Sequence, residues 1–141
     1  MHTGWQSAKT PATLPPFFGR FGATGNCWVK SPKVFIRDSG VAHALLGLPD
    51  KEALLGHPIV GSSWESFVLE NLLTLIAPEA EASFYRTSAG AEVDLVLTFP
   101  GGRIWAIEIK RSVAPKVERG FHSACTDLHP ERRFVVFSSS R

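Results

Sequence analysis

Two cysteines and one methionine in 141 residues leave little from which to build staples or metal knuckles. Cys27 and Cys125 stand far apart, with no CxxC and no Cys/His ligand spacing. That pattern argues against a zinc knuckle or a disulfide framework and for a reducing intracellular setting. Charge of one sign is scarce as well. Fifteen Lys plus Arg against thirteen Asp plus Glu give a net +2, so net charge does not advertise nucleic acid, and any phosphate-binding role must come from local arrangement. The first thirty residues hold no uninterrupted apolar stretch of the kind a secretory signal or a membrane span requires. A cytoplasmic protein with no membrane partner is the expectation. His2, His43, His57, His122 and His129 form no HExxH pattern, and no Ser/His/Asp or Cys/His nucleophile arrangement stands out.

What is present suits one folded domain: apolar residues make up 44% and charged residues 20%, close to globular averages. A chain of this length buries roughly two-thirds of its unfolded surface and folds without staples. Met1 to Lys30 mixes Gly, Pro, Ser and Thr with scattered aromatics, without helical or strand periodicity, and reads as an extended arm. Gly19, Gly22 and Gly25 are spaced GxxGxxG, which matches neither the GxGxxG nor the GxxxxGK[ST] phosphate-binding pattern. The rest, 31–141, reads as the domain, with a short strand Lys33–Ile36 and helices over Val41–Leu46 and Asp50–Leu55 ahead of a core that starts at about residue 61.

The strongest helical pattern runs from Ser63 to Ile76. Glu65, Val68, Leu69, Leu72 and Ile76 share one stripe at 100° per residue, so an acid sits inside the apolar face. Three β-type runs follow, Ala82–Thr87, Glu92–Phe99 and Arg103–Lys110, joined by short glycine-bearing links that predict an antiparallel meander. A helix over Pro115–Leu128 and a strand over Phe134–Ser138 complete the pattern. From Ser63 onward the order is α-β-β-β-α-β, a mixed α/β (α+β) arrangement whose helices can cover both faces of one sheet. Trp64, Phe67 and Trp105 are expected in the core.

The period of two sends Val93, Leu95 and Leu97 to one face of their strand and Glu92, Asp94 and Val96 to the other. It puts Glu108 and Lys110 together on one face of the next strand. If the two strands pair as a hairpin, Asp94 and Glu108 converge near one end of the sheet. Two carboxylates about 5 Å apart repel by roughly 3 kcal/mol at an effective dielectric near 20, and a divalent cation relieves that repulsion. Asp94, Glu108 and the backbone carbonyl of Ile109 suit Mg²⁺ (or Mn²⁺), which keeps waters and prefers a site completed by substrate phosphate. Lys110 on the same face can orient the attacking water and offset developing negative charge. The chemistry that fits is phosphodiester hydrolysis.

These residues resemble a known family. Glu65 on the first helix, Asp94 on the second strand and Glu108-x-Lys110 on the third look like the PD-(D/E)xK restriction-endonuclease-like superfamily. More narrowly, VKSPKVFIRDSG, GSSWESFVLENL, FYRTSAGAEVDLVL and WAIEIKRS are similar to the C-terminal domain of a large group of bacterial and archaeal AAA+ ATPases. The resemblance covers the chain from about Lys30 to the end. It implies a restriction-endonuclease-like core, with Asp94 and Glu108 as metal ligands, Lys110 as the catalytic lysine and Glu65 as a helix-borne acid that positions metal or lysine. It further implies DNA as substrate, and an ATPase module or another protein as partner. No Walker A motif is present, so no ATP hydrolysis is expected from this chain.

Each residue also has a plainer reading. Ser62-Ser-Trp-Glu65 fits a capping box. Asp94 among Val and Leu could be salt-bridged to Arg86 or Lys110. Glu92 could be a spare ligand or a solvated acid at a strand start. Arg86, Arg111, Lys116 and Arg119 are candidate phosphate contacts, with carboxylate pairing for Arg86 and a solvated helix face for the others as alternatives. At the level of the whole chain, the rival to catalysis is a non-catalytic module that binds nucleic acid or protein.

Overall fold

In the computed structural model, residues 18–21, 33–36 and 38–138 are described. The first two segments are strands, β1 (Phe18–Phe21) and β2 (Lys33–Ile36), which pair antiparallel with Phe18 opposite Ile36. β1 falls inside the segment read as an extended arm; the remaining residues of that segment, Cys27 among them, lie outside the described residues. Helices α1 (Ser39–Leu45) and α2 (Lys51–Gly56) follow. Each starts on an aspartate: Asp38 accepts from the Val41 amide at 3.1 Å and Asp50 from the Ala53 amide at 2.8 Å, which satisfies donors that the first turn leaves free.

Helix α3 spans Val60–Leu75. It begins earlier than the pattern predicts, and the capping box is not formed: Ile59 is the N-cap and makes no side-chain cap bond. The His57 ring takes up the Ile59 amide instead, at 3.3 Å. Ser62 and Glu65 are therefore inside the helix. Ser63 holds α1 through a 2.6 Å hydrogen bond between its hydroxyl and the His43 ring.

Strands β3 (Glu81–Arg86), β4 (Glu92–Thr98) and β5 (Ile104–Lys110) form the expected antiparallel meander. Helix α4 (Arg119–Leu128) then crosses over to β6 (Arg132–Phe137), which lies parallel to β5. The order β3-β4-β5-β6 gives a mixed four-stranded sheet. An α+β fold with helices flanking that sheet is thus present. Over all described elements the order is β-β-α-α-α-β-β-β-α-β, so the six-element order expected from the sequence runs only from α3 onward.

Two apolar layers clamp the sheet. On one side Val68 and Leu69 of α3 meet Leu95, Leu97, Ile107 and Ile109. On the other, Phe121, Ala124 and Cys125 of α4 meet Val93, Val96 and Ala106. Cys125 is a free, buried thiol whose pKa burial pushes up. Simple alternation assigns Val93 to the side of Leu95 and Leu97, and the structure corrects this. Ser83 pairs with Val96 but Tyr85 with Val93, so two steps of β3 pass three of β4. This bulge reverses the alternation and turns Val93 to the α4 side. Phe67, expected in the core, is 50% exposed and lies against the Trp64 ring at 6.1 Å.

Helix α4 is seated by two contacts. The Tyr85 hydroxyl donates to Asp127 at 2.9 Å, and Gly120 lies so close to the β3–β4 turn that a Cβ there would stand 2.5 Å from the Gly90 carbonyl oxygen. Backbone rather than a flexible side chain blocks the space, so Gly120→Ala forces the helix off its seat. The expected loss is about 1–3 kcal/mol, as for other overpacked sites, read as a lower urea midpoint with an unchanged m-value.

Candidate functional site

The β4–β5 ladder ends at the pair Leu95–Ile107. Toward the start of β4 and the end of β5, the Asp94 side chain takes over: its Oδ2 accepts from the Ile109 amide at 2.9 Å. The bulge and this bond together hold Asp94 beside the last residues of β5. On the α3 side, the Trp64 indole donates to the Lys110 carbonyl at 3.2 Å, which ties the start of that helix to the same end of the sheet and brings Glu65 with it.

The result is a pocket of about 370 Å³ whose wall includes Glu65, Asp94, Glu108, Lys110, Glu118 and Arg119. All four residues singled out as a centre, from α3, β4 and β5, line it. Of the four candidate phosphate contacts only Arg119 does. Arg86 is instead 3.7 Å from Glu92 across the β3–β4 pair, the carboxylate pairing its alternative reading held open, while Arg111 and Lys116 are exposed and line no part of this pocket.

The electrostatics centre on Glu108, which is 6% exposed. Its Oε1 is 2.8 Å from the Lys110 ammonium, and its Oε2 is buried with no hydrogen-bond partner among the described residues. Burial drives its pKa up to about 7; the Lys110 hydrogen bond works against the rise, and the charges of Asp94 and Glu118 add to it. For Lys110, burial works against the charge, but hydrogen bonds to Glu108 and Glu118 prevail and hold its pKa above the usual lysine value. The Lys110–Glu118 distance is 3.1 Å.

Glu118 escapes the sequence pattern because the helix was expected from Pro115. It starts four residues later, at Arg119, so that Glu118 is its N-cap rather than an interior residue. An acid at a helix start is a recognisable signal once the start is placed correctly. Gly90 and Gly120, which bring the β3–β4 turn and α4 together at the pocket wall, were likewise not singled out as site residues.

The fit to a divalent ion is limited in a definite way. Among the described residues no three His, Cys, Asp or Glu side chains form a group able to hold a metal. Asp94 and Glu108 do line the same pocket, and a largely hydrated Mg²⁺ requires no more than one or two carboxylates from a protein.

Glu108 also imposes a pH dependence on stability. Its folded pKa lies above the ordinary glutamate value of 4.5, so the folded state binds more protons than the unfolded state between about 4.5 and 7. Stability from this group is complete below that window and falls as pH rises through it, by up to about 3 kcal/mol. Lys110 is protonated in both states throughout the window and does not alter the slope. Urea unfolding at several pH values is expected to show the decline in wild type and to lose it in Glu108→Gln.

Comparison with known proteins gives a family and two relatives. The family described as "Domain of unknown function (DUF4143)" matches residues 60–141. The uncharacterized proteins Rv2008c of Mycobacterium tuberculosis and Mb2031c of Mycobacterium bovis are each 41% identical over 124 residues, 88% of this chain and 27% of theirs. The chain thus spans about a quarter of the length of the curated relatives it matches. No solved structure matches.

Proposed function

The chain belongs to the DUF4143 family, and on that premise we propose that it is a PD-(D/E)xK nuclease-like domain that hydrolyses DNA phosphodiesters with Mg²⁺ or Mn²⁺. The observation that carries this reading is the convergence of Glu65, Asp94, Glu108 and Lys110, from three separate elements, on one pocket. Sequence distance makes that meeting informative: Glu65 and Lys110 are brought together by the fold, not by the chain.

In this reading Asp94 and the Oε2 side of Glu108 hold the ion, and the ion, when bound, supplies Lewis-acid polarisation of the scissile phosphate. Asp94 stays aimed by the Ile109 amide, so its position needs no reorganisation on binding. Lys110, with its charge held by Glu108, presents an ammonium to the phosphate oxygens and offsets the negative charge that develops there. Glu65 orients the lysine or the ligand water from the α3 side. Arg119, at the start of α4, adds a positioning contact to the nucleic-acid backbone.

A second reading is favoured by length. The relatives are several times longer than this chain, and Leu45 of α1 and Leu75 of α3 are 76% and 82% exposed, a surface that further protein covers readily. There the domain is a non-catalytic nucleic-acid- or protein-binding module, C-terminal to an AAA+ ATPase part.

Two measurements separate the readings. Isothermal calorimetry with Mn²⁺ is expected to give binding heat in wild type and none in Asp94→Asn. Asparagine is the variant of choice because it can still accept the Ile109 amide, whereas Asp94→Ala leaves that donor unpaired at a cost of about 1–3 kcal/mol. Metal-dependent cleavage of duplex, branched or single-stranded DNA is expected in wild type, with a loss of a hundredfold or more, roughly, in Lys110→Ala. Wild-type protein that binds neither ion nor cleaves any of the three DNA forms overturns the hydrolytic reading in favour of the module.

A further inference from the structure

Lys110 has two anionic partners of opposite character. Glu108 is buried and 2.8 Å from the ammonium; Glu118 is 3.1 Å away, with a side chain 74% exposed. The buried carboxylate is needed wherever the lysine is charged. The exposed one is not, since an exposed ion pair stabilises little. Nor does Glu118 serve its own helix: it occupies the N-cap of α4, yet its side chain makes no cap bond. The first turn of that ten-residue helix, Arg119 to Phe121, therefore lines the pocket with no side-chain cap on its amides, in a wall that also includes Glu108, whose Oε2 is buried without a partner among the described residues.

We propose that Glu118 is an internal placeholder for the phosphate that Lys110 receives: its carboxylate occupies the solvent-facing side of the ammonium in the free protein and is displaced when a phosphate oxygen arrives. The proposal rests on the reading that this pocket takes phosphate. The pocket wall carries five carboxylates, Glu65, Glu92, Asp94, Glu108 and Glu118, against two cations, Lys110 and Arg119. Glu118 is the one whose contact to the lysine can open into water without baring a buried charge, because Glu108 remains on the other side. The first-turn residues of α4 line the same pocket, and uncapped amides at a helix start are a favourable position for an anion. Glu118 is a positioning residue: it keeps Lys110 aimed outward and sets a competitor that only a well-placed phosphate outbids.

The test titrates inorganic phosphate into the full chain and reads affinity from the NMR amide shifts of Arg119, Gly120 and Phe121. The proteins are wild type, Glu118→Gln, Lys110→Gln, the double variant, and Glu79→Gln, which removes an exposed acid elsewhere. Glu118→Gln is expected to bind phosphate roughly two- to fivefold more tightly than wild type, the worth of one exposed ion pair. The gain should vanish in the Lys110→Gln background, and Glu79→Gln should match wild type. No gain in Glu118→Gln, a gain that survives without Lys110, or an equal gain from Glu79→Gln each overturns the proposal. If Lys110→Gln does not fold by circular dichroism, Glu118→Asp replaces it, with an affinity between wild type and Glu118→Gln expected and one at or below wild type overturning the proposal. Cleavage of duplex DNA with Mg²⁺ is scored in parallel. A phosphate gain with no cleavage sinks the hydrolytic reading alone, and cleavage with no phosphate gain sinks the placeholder alone.

Discussion

A carboxylate kept from water must be matched by a cation or surrender its charge. Glu108 sits near the end of a central strand, between the two apolar layers, and Lys110 two residues later is its match. Because both belong to one strand, their contact is fixed by backbone geometry rather than by docking of separate parts. The surrounding architecture serves that pair. The Trp64 indole anchors the same strand end from the α3 side, α4 supplies a second acid from the other, and the neighbouring strand contributes Asp94.

The bulge in β4 shows how a sheet makes room for chemistry. Regular pairing up to the strand end would satisfy Ile109 with backbone and leave no gap. Here a side-chain oxygen takes that amide, the ladder stops at Leu95, and a polar hollow opens between two strands that remain well packed a few residues away. Disruption next to a site is a recurrent use of such bulges. The energetic cost is contained because every group named is still bonded, apart from one oxygen of Glu108.

Much of this was legible in the chain. The stripe of α3, the glycine-bearing links of the meander and the E-x-K pair on β5 all follow from periods of 3.6 and 2, and the four residues they single out do line one pocket. What was hidden depended on tertiary contact. Periodicity cannot see a bulge, so Val93 was assigned to the wrong side of the sheet. A proline suggests a helix start, but α4 begins only where Gly120 can touch Gly90, and Glu118 was thereby missed. The apparent capping box at Ser62 failed because the upstream turn at His57 and Pro58 had already started the helix. Asp94's bond to Ile109 joins residues whose pairing only the folded sheet defines.

The parallel placement of β6 has a practical side. Its register sets Phe137 beside Lys110, so the chain runs out of the sheet at the pocket end. A bulky label attached at Phe137, which is 48% exposed, would therefore stand on the strand next to the lysine and crowd the pocket. A label meant for ligand work is better placed at the opposite end of the same strand, where Arg132 pairs with Trp105.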